Sequence, residues 1–248
     1  MTKWLAVAAL MVAACGSPHD DVGHAPTTNI TVFAAASLQP PFDRIAAQLK
    51  ARDNIITTFN YAGTQTLTSQ LTQGAQSDVF ASADTAHMTT AQNARLLASR
   101  SRVFAHNRLE IAVEKGNPKG IHSLADLARS GVVVVLADPS VPAGKYAQQS
   151  LAKAGVTVHP ASFEQQVTAV VSKVALGEAD AGIVYVSDVV TSGKVDGVPI
   201  PDSQNAIADY PIARLKQATN AAGADTFINY VLSEQGQAIL VNAGFEKV

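Results

Sequence analysis

A chain of 248 residues with 47% hydrophobic and 15% charged content can bury one large core or two modest ones. Its formal net charge of -2 carries no basic excess, so nucleic acid is not an expected partner. A single cysteine excludes an intrachain disulfide framework.

The first fifteen residues, MTKWLAVAALMVAAC, place one lysine before an uncharged apolar run from Trp4 to Ala14 and end on Cys15. The run is too short to span a bilayer and has the layout of a secretory signal. Val12-Ala13-Ala14-Cys15 resembles the bacterial lipobox, which implies cleavage and acylation at Cys15. Residues 16–29, GSPHDDVGHAPTTN, lack periodicity and read as a flexible tether. His19 and His24 within it offer neither a fixed geometry nor a full metal-ligand set.

From Ile30 onward, short β-branched runs alternate with helical stretches, the pattern of an α/β fold with mostly parallel strands. The expected strands are 30–36, 54–61, 78–82, 109–114, 132–137, 181–186 and 210–215. Between 38 and 52, Phe42, Ile45, Ala46 and Leu49 recur at helical spacing, with Pro40 and Pro41 tolerated only in the first turn. Leu67 and Leu71 mark a shorter helix, and Val167, Val170, Val171 and Val174 give 163–177 the same one-sided pattern. The stretches NRLEIAVEKGNP and ADYPIARL are suited to carry the chain between two lobes. Crossing near 107 and returning near 208 divides it into residues 30–107 with 208–248 and residues 108–207, hinged about a cleft.

No nucleophile elbow, phosphate loop, dinucleotide fingerprint or HExxH motif is present, and the six histidines have no metal-ligand spacing. Glu178 and Asp180 read as a polar helix end, so enzyme function is not expected. What remains are four strand-to-helix junctions: Ser37 after the first strand, AGTQTL at 62–67, DPSVPAGKYA at 138–147 and FEQQVTAV at 163–170. Each alone is an ordinary helix start; together they could surround an anion with backbone N–H groups.

ITVFAAASL, VPAGKYA, GIVYVSD and the terminal SEQGQAILVNAGF resemble the bacterial periplasmic molybdate-binding proteins, the solute-binding components of molybdate importers, from about Ile30 to Phe245. The resemblance implies a two-lobed type II periplasmic binding-protein fold, each lobe a mixed, mostly parallel sheet flanked by helices. It also implies five anion contacts: the Ser37 hydroxyl and amide, Thr64 where the family has serine, the backbone N–H groups of Ala143 and Val167, and the Tyr185 hydroxyl. Gln65 also stands where serine is common, in a loop longer than usual. By itself Tyr185 reads as core as readily as contact. Lys145 is either an anion-steering charge or a solvated helix lysine.

These groups are neutral donors, so a bound dianion would be held by convergent hydrogen bonds and helix dipoles. Phosphate near neutral pH keeps a proton needing an acceptor, at a cost of about 1–3 kcal/mol if it finds none. Molybdate, tungstate and sulfate keep none, and size would separate the first two from sulfate. The expectation is therefore a non-enzymatic receptor without cofactor, monomeric, held at the outer face of the cytoplasmic membrane through Cys15, and serving an ABC permease and its ATPase. Sulfate or phosphate as ligand is one alternative. An envelope hydrolase with Ser37 as nucleophile is another, requiring a base in reach.

Overall fold

The computed structural model describes Met1 and residues 27–248. The signal segment, Cys15, His19, His24 and most of the tether lie outside the described residues. β1 (Thr28–Ala35) runs into a 3-10 turn (Ala36–Leu38) and α1 (Gln39–Asp53), and β2 (Ile55–Ala62) leads to α2 (Thr64–Thr72). β3 (Val79–Ala81) precedes α3 (Thr85–Asn93) and the long β4 (Arg102–Val113). β5 (Val134–Ala137) then leads to α4 (Pro142–Ala154), β6 (Ser162–Glu164) to α5 (Val167–Ala175), and β7 (Ala181–Tyr185) to α6 (Val186–Ser192). β8 (Asp196–Pro199) and β9 (Ile207–Arg214) precede α7 (Ala221–Leu232) and α8 (Glu234–Asn242).

The strands are ordered β2-β1-β3-β9-β4-β7-β5-β6, with β8 also on β4. β1 pairs parallel with β2 and β3, and β5 pairs parallel with β6 and β7. β4 joins the two halves: Arg102–Arg108 pairs antiparallel with β9, and Leu109–Val113 pairs antiparallel with β7. Beyond Arg108 and before β8 begins at Glu110, the Asn205 side chain accepts from the Leu109 N–H at 3.0 Å and donates to its carbonyl at 2.9 Å. Thus no backbone group is stranded at the crossing. The result is a two-lobed α/β fold in which parallel strands point their carboxyl ends at the space between the lobes, where ligands bind in open sheets.

Local chemistry explains these elements. α1 opens on Pro40 and Pro41, buries Phe42, Ile45 and Leu49, and ends at Asn54 in the left-handed region with φ 52°. Phe42 is fully buried, with ring centroids 6.2, 5.9 and 5.4 Å from those of Phe59, Phe104 and Phe227. It therefore fastens α1 to β2, β4 and α7.

Three features depart from the sequence pattern. β1 begins at Thr28, inside the expected tether, because Thr28 pairs in register with Ile55. β4 begins at Arg102 rather than 109, its amino half held by β9 in spite of His106, Asn107 and Arg108. Residues 162–164 form an edge strand, so the helix expected from 163 starts at Val167; with β8, this short strand carries no apolar run by which to be seen. Among the described residues no helix is long and apolar enough to cross a membrane.

Phe42→Ala should cost about 3–5 kcal/mol of unfolding free energy through the cavity it leaves. Denaturant titration should show a lower midpoint, and an unchanged midpoint would mean that this cluster does not anchor α1.

Candidate functional site

Four helix starts meet between the lobes: the 3-10 turn after β1, α2 after β2, α4 after β5 and α5 after β6. None of the four has a side-chain cap, their N-cap residues being Ala35, Gly63, Val141 and Gln166. Three helices away from the cavity do have side-chain caps: Asp84 accepts from the His87 N–H on α3, Asn220 from Gly223 on α7, and Ser233 from Gly236 on α8. Uncapped starts keep N–H groups with no intrahelical acceptor and carry the positive end of the helix dipole. The glycine of VPAG serves this meeting, since a Cβ at Gly144 would collide with the Ala137 and Asp138 carbonyls at the end of β5.

These starts surround a small cavity of about 10 Å³, far below the roughly 300–1,000 Å³ of clefts for organic ligands. Ser37, Thr64, Ala143, Val167 and Tyr185 all line it, each less than 5% exposed. All five residues singled out in the sequence are therefore brought together in space. Ala35, Ala62 and Ala83 form walls that keep the backbone close. Among the described residues no lysine or arginine lines the cavity, and Lys145 lies two residues past Ala143 on α4. Of two larger grooves, the one between α3 and residues 95–101 lies apart from these starts, and the one beside α5 and α6 shares Ser37 with the cavity and is also lined by Asp188 and Lys194.

The hydroxyls are set to donate. Thr64 Oγ1 accepts the Ala83 N–H at 3.2 Å, which leaves its own hydrogen free. Ser37 Oγ lies 3.0 Å from the hydroxyl of Tyr210, a fully buried β9 residue that the sequence pattern marked only as part of a crossing strand. The Tyr185 hydroxyl is buried without a hydrogen-bond partner among the described residues. Such a group costs about 1–3 kcal/mol unless a ligand satisfies it. Burial pushes the Tyr185 phenol well above its usual range, with Tyr210, Tyr146, Asp188 and Asp84 adding to the effect, so it stays a neutral donor. Tyr210 is likewise raised by burial and then by Asp188. Ser37 is consequently paired with a neutral phenol and not with a base that could activate a nucleophile.

Asp188, the last residue of GIVYVSD, has no distinguishing signal of its own in the sequence. It is 4% exposed, accepts the Tyr185 N–H at 3.0 Å at the start of α6, and is pushed up to about 7 by burial, which that hydrogen bond partly offsets. The lobes also touch directly, Gln65 Nε2 on α2 donating to the Gln165 carbonyl at 2.9 Å.

A two-lobed α/β scaffold closing on a small, cation-free ring of donors is the architecture of a solute-binding protein able to hold a small anion. The chain belongs to the bacterial extracellular solute-binding protein family, whose model matches residues 30–246. It is 43% identical over 250 residues to the molybdate-binding protein ModA of Mycobacterium tuberculosis, covering 97% of this chain and 96% of that one. Its fold matches the periplasmic molybdate-binding protein of Azotobacter vinelandii with a TM-score of 0.75 at 19% identity, covering 87% of this chain and 98% of that one. The sulfate-binding protein SubI of Mycobacterium tuberculosis matches with a TM-score of 0.82 at 19% identity, covering 89% and 87%.

Asp188 makes stability depend on pH. Its folded pKa of about 7 lies above the ordinary value of 3.8, so the folded state holds a proton that the unfolded chain has lost between those limits. The stabilisation is complete below about pH 4 and is lost as pH rises through about 7. Asp188→Asn keeps an acceptor for the Tyr185 N–H and removes the buried charge. Thermal melts should show the variant more stable than the wild type at about pH 8, with the gap closing toward about pH 4. A pH-independent gap would show that Asp188 does not titrate in this window.

Proposed function

We propose that this chain is the extracytoplasmic receptor of an ABC importer and captures molybdate, and tungstate with it, between lobes formed by residues 30–107 with 208–248 and residues 108–207. The observation that carries the reading is the cavity: five buried neutral donors from both lobes, with no lysine or arginine among the described residues that line it. The 43% identity to a molybdate-binding protein over nearly the whole length supports the choice of ligand. Ser37, Thr64 and Tyr185 donate through hydroxyls, and Ser37, Ala143 and Val167 through backbone N–H groups. Each helix dipole adds roughly 0.3–1 kcal/mol or more when sheltered, so affinity comes from convergence. A ring of donors alone discriminates against an oxyanion that still carries a proton. The protein acts as a monomer without cofactor or catalysis, is acylated at Cys15 on the outer face of the cytoplasmic membrane, and delivers its anion to a permease driven by an ATPase.

Calorimetry near neutral pH should show tight molybdate binding and little response to phosphate. Tight phosphate binding, or none to molybdate, overturns the reading, as would covalent labelling of Ser37 by a serine-directed probe. Tyr185→Phe should weaken molybdate binding about tenfold or more by removing a hydrogen bond to a charged group. The same change should leave the ligand-free protein equally stable or more so, because it deletes an unpartnered buried hydroxyl. Loss of binding together with loss of stability would mark Tyr185 as a packing residue.

A further inference from the structure

Closing a cleft around a ligand needs free energy beyond the ligand's own contacts, and any bond made only when the lobes meet biases that equilibrium. One such bond lies beside the donor ring. Gln65, second residue of α2, sends its amide Nε2 across the cleft to the Gln165 carbonyl at 2.9 Å, one hundred residues away in the chain. The acceptor fixes the direction of the amide, because the reverse orientation would place two carbonyl oxygens together. Its own Oε1 is buried and has no hydrogen-bond partner among the described residues. Beneath it, Gly63 has no side chain where one would collide: a Cβ there would overlap both the Gln165 carbonyl and the Gln65 amide. Three residues thus share a space that only a glycine and a bent glutamine leave passable.

The positions on either side give this contact its meaning. Gln65 directly follows Thr64, and Gln165 lies two residues before Val167; both Thr64 and Val167 line the cavity. The bond therefore ties the α2 start of one lobe to the α5 start of the other at the point where each presents a donor.

We infer that Gln65 is a clasp that holds the two lobes closed and thereby sets how long the ligand is retained, without touching the ligand itself. A clasp holds the anion after it has entered, so its main effect is to slow release. It also shifts the open-closed balance of the ligand-free protein, since the Gln65–Gln165 bond needs no anion. The kinetic consequence rests on the binding reading proposed above; the shift in the free protein does not.

The test uses full-length wild type, Gln65→Ala and Gln65→Met, the last of similar size and uncharged but lacking the donor. Spin labels on the two lobes report the interlobe distance without ligand, and stopped-flow fluorescence with molybdate reports association and release. Both variants should populate the open distance more than wild type, and release should quicken by about two- to tenfold, the range expected for one net hydrogen bond, with association unchanged or faster. Gly63→Ala, which drives a methyl group against the same carbonyl, should open the free protein in the same direction. Unchanged distances, or slower association with unchanged release, overturn the clasp. If wild type binds no molybdate and the variants still open the free protein, the proposed ligand fails and the clasp stands.

Discussion

Backbone N–H groups in the first turn of a helix cannot be satisfied from within that helix, and here four such turns face one another with no side chain to cap them. The remaining architecture follows from bringing those turns together and keeping water out. Where the same chain needs stability and not recognition, at α3, α7 and α8, it supplies Asp84, Asn220 and Ser233 as caps. The caps on α3, α7 and α8 stabilise the fold, while the bare starts at the cavity leave their N–H groups to a ligand.

Holding these starts in place falls to the strands that lead into them. β1 and β2 deliver the 3-10 turn and α2 from one sheet, and β5 and β6 deliver α4 and α5 from the other. β4 passes through both sheets, and Asn205 completes its hydrogen bonding at the crossing. A continuous strand with satisfied backbone is stiff along its length and can still twist, which suits two lobes that move as bodies. Tyr210, placed on β9 where the lobes join, reaches Ser37 and packs edge-on against Tyr185 at 5.8 Å, linking the hinge side to two of the donors.

The absence of cations has an electrostatic price that the protein meets with neutral groups. Buried phenols at Tyr185 and Tyr210 stay protonated and donate, and Asp188, buried behind them, is driven toward its neutral form. A lysine in the cavity would bind anions of many kinds; a ring of fixed donors tests the number and direction of acceptors and the presence of a proton.

How much could be read in advance differs by residue. The apolar strands and the amphipathic α1 and α5 were legible because burial on one face leaves a periodic trace. β6 and β8, three and four residues long at sheet edges, left none, and the first half of β4 was hidden by the polar run His106-Asn107-Arg108 that β9 covers. Ser37, Thr64, Ala143, Val167 and Tyr185 stood out through motif resemblance, whereas Tyr210, Ala83 and Asp188 did not, because their part is to support or neighbour those donors from distant points of the chain.

The sequence by itself determined the alternation of strand and helix, the missing catalytic motifs and the four strand-to-helix junctions, since each depends on residues near one another in the chain. Only the tertiary structure decided that the starts at those junctions lack caps and share one cavity, that Thr64 and Ser37 have their partners in Ala83 and Tyr210, and that Gln65 meets Gln165 across the cleft. Those contacts join residues 19 to 173 positions apart, and such separations follow from sheet order and register, which local periodicity does not encode.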